Sequence, residues 1–217
     1  MPASDSILPA LPDLAFEKRA LRRGASVVAG VDEAGRGPLA GPVVVAAVVL
    51  NRRRVPEGLD DSKRLSATTR DMLFEQIMAT ATVSVVAAPP SVIARLNILG
   101  ATLWAMRRAV LGLNLCPDHV LIDGNIVPKG LPCAGEAVIG GDGLSMSIAA
   151  ASIVAKVTRD RMCAIRHCEE PHFGFAGHKG YGAPGHLQAL NEHGPGRYHR
   201  MDFAPCASAA ARRQVAA

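Results

Sequence analysis

The sequence predicts an α/β fold: a mixed β-sheet flanked by helices, with a small helical region near the C-terminus. Three observations lead to this prediction. The chain has 217 residues and is 49% apolar, which is enough to form the core of one ordinary domain. Short β-branched runs crowd the first ninety residues. Segments with helical spacing then alternate with further short apolar runs, as they do in sheets covered by helices.

The first ninety residues contain two β-branched runs, 27–32 and 43–50, which we interpret as strands. The glycine- and proline-rich segment between them predicts a tight loop. Ser66 is a good N-cap, and apolar side chains recur on one helical face after it. The expected elements, in order, are a short helix over 14–23, strands over 27–32 and 43–50, a helix after Ser66 and a strand over 82–87.

The second half of the chain predicts alternating helices and strands. Residues 99–113 carry apolar side chains at steps of four, three, four and three, which is typical of an amphipathic helix. From 145 to about 168, small and apolar residues again recur at helical spacing. Shorter segments complete the prediction: strands over 119–123 and 137–139, a helix over 184–193 and an alanine-rich tail after Phe203.

The composition favours a cytoplasmic protein. The longest apolar run has eight residues, whereas a membrane-spanning helix needs about 20. No basic segment precedes an apolar one at the N-terminus, as it would in a secretory signal. The five cysteines are odd in number and form no C-x-x-C pair, which favours reduced, structural thiols. We therefore expect a cytoplasmic monomer with no membrane partner.

Positive charge is concentrated near the C-terminus. Residues 156–217 contain nine Lys or Arg against five acids, so they hold four of the five net positive charges. The same segment holds five of the eight aromatic residues. Basic groups interleaved with aromatic rings suit a nucleic acid. A solvated basic face explains the charge equally well.

Four acids are candidate metal ligands: Asp32, Glu33, Asp123 and Asp142. Each lies at the end of a predicted strand or just before a predicted helix, where side chains face a crevice. Carboxylates are the ligands that Mg²⁺ or Mn²⁺ prefers. Any one of them read singly is more simply a turn former. Adjacent residues in a strand point to opposite faces, so Asp32 and Glu33 share a site only if the strand bends or ends there.

The segment 35–40 also fits the dinucleotide-binding pattern G-x-G-x-x-G/A, which makes a Rossmann-type oxidoreductase the rival hypothesis. That pattern has to open a helix whose N-terminus receives the pyrophosphate, but here Pro42 and a β-branched run follow. The adjacent Asp32 and Glu33 would repel the anion. A glycine-flanked turn can instead approach a ribose 2′-hydroxyl closely, because no Cβ intervenes.

A set of segments occurs in one order along the chain: DEAGRGPLAGPV at 32–43, DSKRLS at 61–66, DG at 123–124, SIAAASIVAKVTRD at 147–160, HKGYG at 178–182 and HR at 199–200. Together they resemble the signatures of bacterial ribonuclease HII. The resemblance spans about residues 25–205. It implies a ribonuclease H-like fold and a metal-dependent endonuclease.

The resemblance also implies substrate, cofactors and site residues. The substrates would be RNA/DNA hybrids and duplex DNA containing single ribonucleotides, with 5′-phosphate and 3′-hydroxyl ends as products. Two cations, Mn²⁺ or Mg²⁺, would act in catalysis. The implied residues are Asp32, Glu33, Asp123 and Asp142 as catalytic metal ligands, Gly35, Arg36 and Gly37 as readers of the 2′-hydroxyl, Lys63 as a phosphate contact and Tyr181 as a sugar contact. Aspartate at 142 favours this family over the related ribonuclease HIII, which has glutamate there.

The resemblance sets the expected domain boundaries. Residues 1–24 would be an N-terminal tail with a possible short helix, residues 25–205 the catalytic domain with its C-terminal substrate-binding segment, and residues 206–217 a flexible tail. Gly141, Ala183 and Asp202 depart from the residues common in the family, which are Lys, Thr and Ser. A module that binds hybrids without cutting them is the alternative, and it would need no acids.

Overall fold

The computed structural model of the protein describes residues 11–215, and a mixed sheet lies at the centre of that part of the chain. Its five strands are β1 (Val28–Ala34), β2 (Val43–Val49), β3 (Thr82–Ala88), β4 (His119–Asp123) and β5 (Ala134–Val138). They lie in the order β3-β2-β1-β4-β5. The first three strands are antiparallel, and β4 and β5 continue the sheet parallel to β1.

Helices flank this sheet, which confirms the predicted α/β class. They are α1 (Ala15–Arg22), α2 (Ala67–Thr80), α3 (Pro90–Leu111), α4 (Met146–Glu169), α5 (Phe175–His178), α6 (Pro184–His193) and α7 (Ala204–Val215). Short 3₁₀ turns at Gly141–Gly143 and Pro171–Phe173 precede α4 and α5. Within the described residues, no helix is long and apolar enough to cross a membrane.

Both faces of the sheet are covered, which explains why β2 is apolar along nearly its whole length. Val45 and Ala47 pack in the core layer under α3. Their neighbours Ala46 and Val48 pack in the opposite layer, against α2 and α4. Successive residues of a strand point to opposite faces, so a strand buried on both sides has no polar positions.

Helix α4 lies very close to β1, and Gly30 permits this approach. A Cβ on Gly30 would lie 2.1 Å from the backbone carbon of Ser147, in the first turn of α4. Side chains later in α4, among them Ser152 and Arg159, consequently lie beside the C-terminal end of β1. This end of the sheet is where the candidate acids are found.

The structure corrects three details of the sequence interpretation. Helix α3 begins at Pro90 rather than near residue 99, and it bends at Asn97, whose φ and ψ of 55° and 174° are not helical. Strand β5 begins three residues before the predicted position, at Ala134. Residues 206–215 are not a flexible tail: they belong to α7, with Cys206 and Ala209 buried. Alanine favours a helix, and its small side chain lets α7 pack closely. The first ten residues of the predicted N-terminal tail and the last two of the chain lie outside the described range.

Candidate active site

Three carboxylates meet at one edge of the sheet. Asp32 and Glu33 stand at the end of β1, and Asp123 ends the neighbouring parallel strand β4. Because parallel strands place their carboxyl ends at the same edge, acids far apart in sequence come together there. Each of the three offers an oxygen, and these oxygens all lie within 4.8 Å of one another. The expected convergence of these three acids is therefore present.

Asp32 and Glu33 share this site although they are adjacent in a strand. Strand β1 ends at Ala34, only one residue after Glu33, and Gly35 follows in a left-handed conformation with φ of +94°. The backbone N–H of Glu33 donates to Oδ1 of Asp32 at 2.6 Å. The strand thus ends next to the two acids, which is the condition under which adjacent residues of a strand can share one site.

The electrostatics of the three acids favour a bound cation. Burial, followed by the charges of Glu33 and Asp123, raises the pKa of Asp32 well above its usual range. Burial also raises the pKa of Glu33, with Asp123 adding to the shift and Arg36 opposing it. Three crowded, partly desolvated carboxylates repel one another, and hard divalent cations relieve that repulsion through oxygen ligands. The donor set therefore fits Mg²⁺ or Mn²⁺.

The structure places Asp142 beside this group but not in it. Its carboxylate is nearly buried, and its Oδ2 accepts a hydrogen bond from Nζ of Lys63 at 2.9 Å. Burial and then the charge of Asp142 raise the pKa of Asp123, so the two acids interact electrostatically. The backbone N–H of Gly141 donates to Oδ1 of Asp123 at 2.7 Å. The turn that carries Asp142 thus orients Asp123, while Asp142 itself is held by Lys63.

Lys63 lines the cleft and is paired with two acids. Its side chain is 76% exposed and also lies 3.6 Å from Oδ1 of Asp61. Partial burial works against the charged amine, but the hydrogen bond and charge of Asp142 more than offset it and raise the pKa of Lys63. A charged, exposed amine next to an acid cluster is suitably placed to meet a phosphate.

Two buried arginines hold the loop over 35–42, and sequence reasoning missed both roles. Arg200 donates to the carbonyl oxygens of Gly35, Arg36 and Gly41 at 2.6, 2.8 and 2.9 Å. Arg159 donates to the carbonyls of Ala40 and Pro42 at 3.2 and 3.1 Å. Both arginines are 1% exposed or less. Burial, and then the charge of Arg159, lower the pKa of Arg200 to about 10, which leaves it charged at neutral pH.

Gly35 is required at its position for two reasons. Its φ of +94° is a conformation that other L-residues rarely adopt, and a Cβ there would lie 1.9 Å from Nε of Arg159. Gly37 is different, since a Cβ there would make an ordinary contact of 3.6 Å with the ring of Tyr181. The loop therefore packs on the Arg159 side chain at Gly35 and lies beside the Tyr181 ring at Gly37.

Tyr181 faces the same cleft as the acids. Its side chain is 49% exposed, and the guanidinium carbon of Arg159 lies 5.9 Å from the ring centre. The nearly buried hydroxyls of Ser62 and Ser152, which are 2.9 Å apart, belong to the same cleft. The acids Asp32, Glu33 and Asp123, the segment 35–37, Lys63 and Tyr181 thus line one cleft.

Comparison with known proteins identifies the family of this chain. Residues 29–206 match the family model described as Ribonuclease HII. A ribonuclease HII of Agrobacterium fabrum is 54% identical over 204 residues, which are 94% of each chain. One of Bradyrhizobium diazoefficiens is 58% identical over 197 residues, or 90% of this chain and 75% of that protein. The crystal structure of the ribonuclease H2 from Pyrococcus horikoshii OT3 has a TM-score of 0.76 and 26% identity, covering 87% of this chain and 99% of that one. The chain therefore belongs to the ribonuclease HII family and is a hydrolytic nuclease.

Proposed function

We propose that the protein cuts duplex DNA at single embedded ribonucleotides, as well as the RNA strand of hybrids, by two-metal-ion catalysis. The products would carry 5′-phosphate and 3′-hydroxyl ends. Family membership gives the coarser statement, which is divalent-metal-dependent cleavage of the RNA strand of RNA/DNA hybrids. One observation carries the finer proposal: the acid cluster, the loop over 35–37 and Tyr181 line a single cleft.

The acids would hold the catalytic cations. Asp32, Glu33 and Asp123 offer oxygens close enough to share ligands, and Arg36, 3.5 Å from Glu33, borders them. Divalent cations, when bound, activate water and stabilise the leaving 3′-oxygen. We favour Mn²⁺ or Mg²⁺ because every donor in the cluster is a hard oxygen.

Asp142 would be the fourth metal-binding acid. In the structure its carboxylate is paired with Lys63. We propose that Lys63 exchanges this partner for a backbone phosphate when substrate enters, which frees Asp142 to turn toward Asp123. Because the Lys63 side chain is 76% exposed, it can turn toward a phosphate with little loss of packing, and the phosphate would replace the charge of Asp142 as its partner.

The loop over 35–37 would read the 2′-hydroxyl. Gly35 and Gly37 have no side chains, so their backbone groups can approach a ribose closely. Arg200 and Arg159 bind carbonyls on one side of the loop, which fixes its conformation before substrate arrives. Tyr181 would then pack its ring on the sugar of the next nucleotide. The 2′-hydroxyl is the group that distinguishes RNA from DNA, so these contacts would set the selectivity.

Three duplexes of one sequence test the proposal: all DNA, DNA with one ribonucleotide, and an RNA/DNA hybrid, each with Mg²⁺ or Mn²⁺. We expect cleavage of the second and third only, with a 5′-phosphate on the downstream product. Cleavage of the hybrid without cleavage at the lone ribonucleotide would refute the finer proposal and leave the family activity intact. Light scattering on the same preparation tests the expected monomer.

A further inference from the structure

Next to Tyr181 lies a group of histidines that neither the acids nor the loop accounts for. His186, in α6, is fully buried, and His199 is 3% exposed. The ring of His178 stacks on His186, with centroids 4.4 Å apart and planes 11° from parallel. The rings of Phe175 and His186 meet edge to face, with centroids 5.5 Å apart. Buried imidazoles need hydrogen-bond partners, so the positions of their protons can be deduced from their neighbours.

The hydrogen bonds of His199 and His186 indicate, one after the other, which nitrogen of each ring carries the proton. Nδ1 of His199 accepts from the backbone N–H of Gly196 at 2.9 Å, a closer contact than the 3.3 Å to the carbonyl oxygen of the same residue, so we place the His199 proton on Nε2. Nε2 of His199 lies 3.0 Å from Nε2 of His186, which must therefore be the acceptor. The proton of His186 is then on Nδ1, which lies 2.7 Å from the carbonyl oxygen of Tyr181, and the N–H of Ala183 donates to the same oxygen at 2.8 Å. The result is a directed chain from Gly196 through two histidines to Tyr181.

Both rings are neutral, as this chain requires. Burial, and next the proximity of His186, lower the pKa of His199 to about 4. Burial likewise lowers the pKa of His186. A proton added to Nε2 of His186 would turn the acceptor of this chain into a donor that faces the Nε2–H of His199. The directed chain is therefore retained at neutral pH.

The segment that His186 holds is also tied to the loop over 35–42. The N–H of Tyr181 donates to the carbonyl of His178 at 2.9 Å, and the carbonyl of Gly180 accepts from the N–H of Leu39 at 2.8 Å. Gly180 has φ of +82°, and a Cβ there would lie 2.6 Å from the carbonyl oxygen of Ala40. These contacts tie the backbone that leads into Tyr181 to the loop.

We propose that His186 is a positioning residue for ribonucleotide selectivity: its Nδ1–H fixes the Tyr181 backbone, and so holds the ring beside Gly37. This inference rests on the proposed sugar contact of Tyr181. His186 touches no acid of the cluster and does not line the cleft. Its Nδ1 acts on Tyr181, whereas its Nε2 meets His199, so a test has to separate the two ring nitrogens.

Two substitutions of similar size separate the hydrogen bond of Nδ1 from that of Nε2. In His186→Asn the amide nitrogen falls near the former Nδ1 and can still donate to Tyr181. In His186→Gln the amide falls near the former Nε2 and keeps only the His199 contact. Both remove the ring from the core, so they share the packing loss. We expect His186→Gln to lower kcat/KM at a lone ribonucleotide about tenfold or more and His186→Asn to stay within about threefold, with an unchanged Mn²⁺ requirement in both.

The same substitution in a Tyr181→Ala background completes the test. If His186 acts through Tyr181, His186→Gln causes no further loss there. A loss of equal size in both backgrounds, or equal losses for the Asn and Gln variants, would overturn the positioning role. If Tyr181→Ala alone leaves cleavage unchanged, the failure lies in the proposed sugar contact instead.

Nitrogen-15 NMR of the unaltered protein provides a check that does not depend on folding of the variants. We expect His186 in the Nδ1–H form and His199 in the Nε2–H form at pH 7. The opposite tautomer at His186 would leave the Tyr181 carbonyl with the N–H of Ala183 as its only donor and would contradict the proposal.

Discussion

Arg200 donates a hydrogen bond from its guanidinium to the carbonyl oxygen of Gly35, 165 residues earlier in the chain, at 2.6 Å. The bond connects the C-terminal segment to the loop that follows the first two acids. The loop over 35–42 and the C-terminal segment that carries Arg200 are therefore joined structurally. A change at either end is expected to alter ribonucleotide recognition before it alters the acids.

Arg200→Lys tests this connection. Lysine keeps the charge but cannot reach three carbonyl oxygens at once, so at least one would lose its buried partner. We expect a loss of about 2 kcal/mol or more in the free energy of unfolding, measured with urea. Arg197→Lys, at a nearby exposed arginine, is the control and should change stability by less than about 0.5 kcal/mol. Equal effects of the two substitutions would mean that the Arg200 contacts contribute little.

Gly35→Ala tests the close approach of the loop to Arg159. The added Cβ would have to displace the Arg159 side chain as well as adopt a positive φ. Gly24→Ala is a matched control, because Gly24 has a φ of +100° but open space around it. We expect about 1–2 kcal/mol of destabilisation for the control, from the backbone alone, and clearly more for Gly35→Ala. Similar unfolding free energies for the two variants would show that the contact with Arg159 is easily relieved.

Much of the site was predictable from sequence because its signals are local. Asp32 and Glu33 close a β-branched run, and glycines mark the turn that follows. The roles of Arg159 and Arg200 were not predictable, since each depends on carbonyl groups more than a hundred residues away. The C-terminal segment also exposes fewer basic and aromatic side chains than its composition suggested. Arg159 and Arg200 are buried, and so are Phe173 and Phe175.

Two other features required the folded chain. The pairing of Lys63 with Asp142 joins a loop before α2 to the turn before α4, and no sequence pattern reports on it. The bend at Asn97 interrupts the helical spacing of apolar residues, so only the second part of α3 was predicted. Long-range electrostatics and backbone irregularities are the terms that local propensity leaves out.

Asp32→Asn should stabilise the protein in the presence of a chelator. The pKa of Asp32 is raised above its ordinary value of 3.8, so the folded state binds its proton more tightly than the unfolded state does. Stability from this group therefore falls as pH rises from about 4 toward neutrality. The melting temperature of the variant should exceed that of the wild type at pH 7, and the gap should close toward pH 4.

Divalent cations should reverse the order of the two melting temperatures, because Mn²⁺ would stabilise the wild-type cluster more than the cluster of Asp32→Asn. Glu57→Gln, which removes an exposed acid, is the control and should respond to neither chelator nor Mn²⁺. A wild-type protein that is as stable as Asp32→Asn in chelator at pH 7 would argue against mutual repulsion of the acids.

Tyr181→Ala should slow cleavage at a lone ribonucleotide about tenfold, since stacking of an aromatic ring on a base contributes about 1–3 kcal/mol and we expect packing on a sugar to contribute at the lower end of that range. Tyr181→Phe keeps the ring and loses only the hydroxyl, so its rate should remain close to that of the wild type. Initial rates under substrate-limited conditions provide the measurement. A normal rate for the alanine variant, or an equal loss for phenylalanine, would assign the role to something other than packing of the ring.

The central claim is that Asp123 completes an acid cluster that holds catalytic cations, and Asp123→Asn tests it most directly. The measurement is the single-turnover rate of RNA-strand cleavage with Mn²⁺ at enzyme concentrations that saturate the hybrid. We predict bound hybrid and a rate lower by about 100-fold or more, because metal-ion catalysis contributes several kcal/mol. Cleavage by Asp123→Asn at near the wild-type rate would contradict the claim.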